Sequence, residues 1–251
     1  MILRVVPLFV ALLAGCATKP AAKPDEPLTQ SKPPICALES PELCLQDGID
    51  LWVGNGREVD RDTAKQKFEL ACSGGLPRGC TYVGIALKGG DPVERARAFD
   101  LFGTSCEGGE AMACAQLGTE YLAQAWVKAE QSGQPETAAF VAANDHLRRA
   151  CELPEPVDVR KFWGWSPRGY ACGNLAASYE HGFAVPQDHV RALELNQLSC
   201  GLDWHRSCAQ VGYFYENGLG VDKDPAKARE VYEAACAAND AMACNNLAVM
   251  L

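Results

Sequence analysis

The sequence is short of histidine, with four in 251 residues, and it contains no Cys-x-x-Cys. Those two shortages remove the usual signatures of a zinc site and of a thioredoxin-like redox centre. Positive charge is scarce too: 23 Lys and Arg stand against 32 Asp and Glu, a formal charge of −9. That balance leaves no electrostatic footprint for nucleic acid. No apolar run reaches the ~20 residues that a bilayer-spanning helix needs. Cysteine, by contrast, is abundant, with thirteen in all. Such a load fits an exported protein better than a cytosol that keeps thiols reduced.

The first residues, MILRVVPLFVALLAGC, agree with export. Arg4 precedes a short apolar run from Val5 to Leu13 and then small residues, the pattern of a signal peptide over 1–15. Leu13-Ala14-Gly15-Cys16 resembles the lipobox of bacterial lipoproteins. The resemblance implies cleavage before Cys16, lipidation of its thiol and, with Ala17 rather than Asp next, an outer-membrane lipoprotein facing the periplasm or the cell surface. The alternative is an ordinary signal peptide followed by a coincidental cysteine. Residues 16–35 are rich in Pro and Lys, nearly without large apolar side chains, and read as an extended tether. The folded region is then 36–251.

Apart from Cys16, the cysteines fall into pairs: Cys36 and Cys44, Cys72 and Cys80, Cys106 and Cys114, Cys151 and Cys172, Cys200 and Cys208, Cys236 and Cys244. Only Cys151 and Cys172 are more than eight apart, and first members follow one another at 36, 34, 45, 49 and 36 residues. A period near 36 with two insertions, around 123–137 and 152–171, predicts a helical solenoid. Other columns share the register. Eight residues before an inter-pair cysteine stand Ala64, Ala98, Ala143, Ala192 and Ala228. Four after each second cysteine come Gly48, Gly84, Gly118, Ala176, Gly212 and Ala248. Small residues at fixed helical positions let backbones approach.

Each unit reads as two helices, such as CAQVGYFYENG (208–218), stopped at Gly218, and AKAREVYEAAC (226–236), started by Asp224-Pro225. A cysteine pair joins the end of one helix to the start of the next, antiparallel one. Closing so short a loop contributes about 2.5 kcal/mol in the chain-entropy model. Structural disulfides outweigh a metal reading, because only His205 lies within a pair. The first pair follows Pro33-Pro34 and is expected to cap the array, while NNLAVML shortens the last helix and leaves an apolar edge, for a partner or because the chain is a fragment.

VGYFYENGLGVDKDPAKA (211–228) and LAASYEHGFAVPQDHVRA (175–192) resemble the Sel1-like repeat, a relative of the tetratricopeptide repeat. A cysteine pair in every unit resembles the narrower secreted, cysteine-rich Hcp-type group, commonly classed as β-lactamases. The resemblance runs from about Cys36 to Leu251. It implies an all-α, right-handed α/α solenoid of about five units, with a concave face that docks protein, peptide or cell-wall ligands. It also raises hydrolysis of β-lactams or penicillin binding as the rival activity. A Ser-x-x-Lys pair would serve that chemistry, and no serine here has lysine three residues on. Asp145-His146 and Asp188-His189 are read as surface pairs, and no cofactor or metal is expected.

The candidate ligand site is the long fourth staple loop, where Arg160, Lys161, Trp163, Trp165 and Arg168 gather cations and aromatics in an acidic chain. The competing reading tucks Phe162 and Trp163 back over the adjacent hairpin as a plug. Asp203-Trp204-His205 is read as a helix-capping turn, and Tyr179 and Tyr215 as core. The expected partner is an envelope protein or peptide, or else peptidoglycan fragments or β-lactams, with membrane contact only through the lipid.

Overall fold

Aspartate writes five of the helix starts. Asp60, Asp91, Asp188, Asp224 and Asp240 each turn a carboxylate onto a backbone N–H two or three residues on, filling a donor that the first helical turn leaves open. Asp91 goes further, pairing with Glu94 in a reciprocal capping box. The structure is a computed structural model that describes residues 36, 40–133, 137–154 and 166–250. Within them run α1 (Pro41–Val53), α2 (Arg61–Ser73), α3 (Pro77–Leu87), α4 (Pro92–Glu107), α5 (Ala111–Ser132), α6 (Thr137–Glu152), α7 (Pro167–His181), α8 (His189–Gly201), α9 (His205–Asn217), α10 (Pro225–Ala237) and α11 (Ala241–Val249). Strands are absent among the described residues. The chain is an all-α solenoid of five hairpins, α1/α2 to α9/α10, followed by α11.

Two kinds of turn alternate. At four of the staples only three residues separate the helices, and the middle one is left-handed: Gly75 at φ +85°, Gly109 at +85°, Asp203 at +64° and Asn239 at +67°. Gly, Asn and Asp are the residues that tolerate that region. Each turn carries the crossed carbonyl bonds of a Schellman cap, as when Gly75 N–H reaches Cys72 O and Leu76 N–H reaches Ala71 O. The disulfides then lock these corners. All six pairs are bridged, Cys36–Cys44 through Cys236–Cys244, with Cα atoms 4.5 to 4.9 Å apart.

The second kind of turn closes the first, fourth and fifth hairpins. Gly54 and Gly56, Gly182 and Ala184, and Gly218 and Gly220 form pairs of positive-φ residues. Gly220 is needed twice over, since a Cβ there would meet the His189 backbone at 2.5 Å. The third hairpin departs from this plan. With no left-handed residue after Tyr121, α5 runs on for 22 residues to Gly133 at φ +70°. The extension carries Trp126 against Phe140 (5.3 Å) and Phe183 (5.2 Å).

The core is a column of small residues, each facing one large side chain. A Cβ added to Gly48, Gly84 or Gly118 would lie 2.6 Å from Phe68, Phe102 or Leu147, and one added to Gly212 would lie 2.5 Å from Tyr232. Those four large residues are at most 1 % exposed. In the fourth hairpin the register puts Ala176 and Asn196 at these positions, and the buried apolar core divides there. One cluster runs from Cys44 to Leu195, and a second runs from Ala192 to Ala243.

Candidate functional site

The break in the core opens a cleft of about 290 Å³ between α7 and α9, which run parallel because each is antiparallel to α8. One face of α7 supplies Tyr170, Asn174, Ala177 and Glu180, spaced so that successive turns stack on one side. The start of α9 supplies Arg206 and Gln210, one turn apart. Asn196 reaches it from α8, and Trp204, at the N-cap of α9, closes one end with its ring edge-to-face on Tyr170, at 5.1 Å and 89°.

Two of these side chains are nearly buried without a partner. Asn196 is 2 % exposed and Glu180 9 % exposed, yet neither amide nor carboxylate makes a hydrogen bond or ion pair among the described residues. Only the Glu180 backbone carbonyl is engaged, by Gln187 Nε2 at 2.7 Å. Their polar atoms stay open to the cleft, where water or a ligand can meet them. Below Asn196 the floor is fixed. Ser199 Oγ donates to Gly169 O at 2.6 Å and lies 2.8 Å from Ser207 Oγ, tying α8 to both neighbours.

The cleft belongs to a longer row. Two residues past each second cysteine stand Gln46, Tyr82, Gln116, Asn174, Gln210 and Asn246, so five of the six positions are carboxamides. They recur at one register on α1, α3, α5, α7, α9 and α11. Gln116 accepts from Lys88 Nζ at 2.9 Å, and Asn174 donates to Tyr170 O at 2.9 Å.

Of the residues that the sequence singled out, Cys16, Arg160, Lys161, Trp163 and Trp165 lie outside the described residues, as does Phe162. Arg168 is half-buried and its Nε donates to Cys151 O at 2.7 Å, which ties α7 to the end of α6. Tyr170, two residues before Cys172, lies in the first turn of α7, at the cleft. Trp204 occupies the expected N-cap position and is also the cleft's end wall. The Asp145-His146 pair divides: Asp145 is exposed, whereas His146 is half-buried, stacked on Tyr121 at 5.4 Å and 4°. Burial pushes its pKa below the ordinary value of 6.5, with Arg149 adding to the effect and Asp145 opposing it. Among the described residues no three His, Cys, Asp or Glu gather as a metal site would need.

Sequence reasoning missed Asn174, Glu180, Asn196, Arg206 and Gln210. A signal was available for Asn196. Four residues after the repeated alanine come Phe68, Phe102, Leu147, Asn196 and Tyr232, one polar residue in an otherwise large and mostly aromatic column.

Residues 169–202 and 205–240 match the Sel1 repeat, two consecutive units that contain every cleft residue but Trp204. Those two segments are Sel1 repeats. Solved structures share the helical-repeat fold over most of the chain. One is c5321, a protective antigen of uropathogenic Escherichia coli with an SLR fold: TM-score 0.64, 18% identity, covering 84% of this chain and 41% of that one. Another is a Sel1 repeat protein from Oxalobacter formigenes: TM-score 0.63, 18% identity, covering 84% of this chain and 76% of that one. Cysteine-rich protein B of Helicobacter pylori matches at 24% identity and a TM-score of 0.40, over 63% of this chain and 99% of its own. This chain thus spans about two fifths of the length of c5321. No curated protein matches it.

Proposed function

We propose that this Sel1-repeat chain is an envelope adaptor, exported, anchored by lipid on Cys16, and binding a protein or peptide partner along the row of first helices. The carboxamide row carries the reading. An extended polypeptide offers N–H and C=O groups at regular intervals, and Gln46, Gln116, Asn174, Gln210 and Asn246 each bring both a donor and an acceptor. Stacked repeats hold such groups on one continuous surface, the surface that solenoids generally use for binding. The acidic chain favours a partner with basic segments. A hydrolytic role would need its own nucleophile, and the twelve cysteines from Cys36 onward are all oxidised to bridges.

A photo-reactive residue placed at Gln116 or Gln210 in cells is expected to cross-link one partner, whereas the same residue at Glu69 or Arg229, on second helices of hairpins, is expected not to. Equal cross-linking from both faces, or none, rejects the adaptor. Saturable β-lactam turnover by the oxidised chain, lost on reduction, would replace it with the Hcp-type hydrolase. Cys16→Ser is expected to move the protein out of the membrane fraction, and its retention there would reject the anchor.

A further inference from the structure

The cleft between α7 and α9 is charged in sequence along its length. At the end where both helices begin stands Arg206, beside the N-terminus of α9, whose Trp204 N-cap gives no side-chain bond to the open backbone donors. At the other end stands Glu180, in the last turn of α7. Parallel helices place both positive dipole ends beside Arg206 and both negative dipole ends beside Glu180. Between them the polar groups are the amides of Asn174, Gln210 and Asn196 with the Ser207 hydroxyl, and His181 lines the cleft beside Glu180.

We propose that this cleft binds a short peptide with both ends free, two or three residues long, with its carboxylate at Arg206 and its ammonium at Glu180. The size fits. Tyr170 and Glu180 are ten residues apart on α7, about 15 Å at 1.5 Å per residue. An extended tripeptide spans roughly 10 Å at 3.3–3.6 Å per residue, and the side chains of Arg206 and Glu180 reach in from the ends. The cleft's volume of about 290 Å³ sits at the small end of ligand pockets. The chemistry fits as well. Peptide bonds at mid-cleft would meet the Asn196 amide, and an ammonium would meet the Glu180 carboxylate, two groups that line the cleft and make no hydrogen bond or ion pair among the described residues. Arg206 likewise has no ion pair among the described residues, so both charges are available together. A long polypeptide crossing the surface could not place two free termini so close. The proposal therefore stands apart from the adaptor reading, and either can fail alone.

The test is calorimetric titration of the oxidised full-length chain with L-Ala-L-Ala-L-Ala, its N-acetyl form and its C-terminal amide. Free trialanine is expected to bind saturably, and each blocked form at least tenfold more weakly. Glu180→Gln should erase the preference for the free amine, and Arg206→Gln the preference for the free carboxylate, with folding unchanged. Ala176→Gly combined with Asn196→Phe, which rebuilds the glycine and ring found in the first two hairpins, should fill the cleft and abolish binding. The proposal is overturned if trialanine does not bind, if the blocked forms bind as well as the free one, or if the filled variant binds like the native chain.

Discussion

What a glycine contributes here depends on what its missing Cβ would touch. At Gly212 a methyl would press on the Tyr232 ring at 2.5 Å, whereas at Gly75 nothing lies within 4 Å and the constraint is φ at +85°. Gly212→Ala should therefore cost about 1–3 kcal/mol by overpacking, and Gly75→Ala about 1–2 kcal/mol by backbone strain alone. Urea midpoints in a Tyr232→Leu background separate the two causes. Shrinking the ring should relieve the first substitution by at least ~0.5 kcal/mol, as expected for residues in contact, and leave the second unchanged. His146 adds a pH effect. Burial holds its folded pKa below 6.5, so protons bind the unfolded chain first as pH falls. Stability from this residue is intact above 6.5 and is lost as pH drops from there through the folded value. His146→Gln should flatten the pH dependence of the urea midpoint in that window, and an unchanged slope would reject the assignment. The small column was legible in the sequence because position alone reveals it. Its partners were not, because each large residue lies on the following helix, across a loop of variable length, and the polar exception at Asn196 passed unnoticed for that reason.

Among the elements, the staples were the most legible part of the molecule, since a spacing of eight and a left-handed residue three after the first cysteine fix both bridge and turn. The extension of α5 was marked only by an absence. Without a Gly after Tyr121 there is nothing to stop the helix, and its neighbours Ala, Gln, Lys and Glu all favour continuing it. The candidate site was hardest to see because the sequence reading went to the conspicuous aromatics and cations of the fourth staple loop. The cleft is instead built from single residues on three helices that the fold alone brings together. Two bridges of equal loop length should behave differently once removed. Cys236–Cys244 holds α11, nine residues packed at one end of the array, and helices so short are marginal alone. Cys236→Ala with Cys244→Ala should leave α11 amides unprotected in hydrogen exchange while α1 to α9 keep theirs. Cys106→Ala with Cys114→Ala should keep α4 and α5 docked and lower stability by about 2.5 kcal/mol. Loss of protection throughout after the terminal change would show that α11 is not a separable end.

At the scale of the whole solenoid, stability is carried by contacts between neighbours, so cooperativity is only as strong as the weakest junction. The weakest is legible in the packing. Every other hairpin continues the apolar column, while at Asn196 the core divides into a cluster over α1 to α8 and a cluster over α8 to α11. Tyr179 packs against both, and Ser199 and Ser207 join the helices by hydrogen bonds, so the halves are linked by one partly buried ring and not by a buried one at the Asn196 position. Native-state hydrogen exchange should then show α9 to α11 opening together at a lower free energy than α2 to α5. Ala176→Gly with Asn196→Phe should raise that value toward the rest of the chain, because the restored ring would bury apolar surface on both sides of the junction. Equal opening energies across all helices in the native chain would mean that the disulfides, which lock the staple turns, already couple the two halves more strongly than the core divides them. In that case the polar cleft exists at no cost to cooperativity. If the opening is split as expected, the cleft lies on the hinge between two stability units, and a ligand that fills it stabilises the junction by its binding free energy.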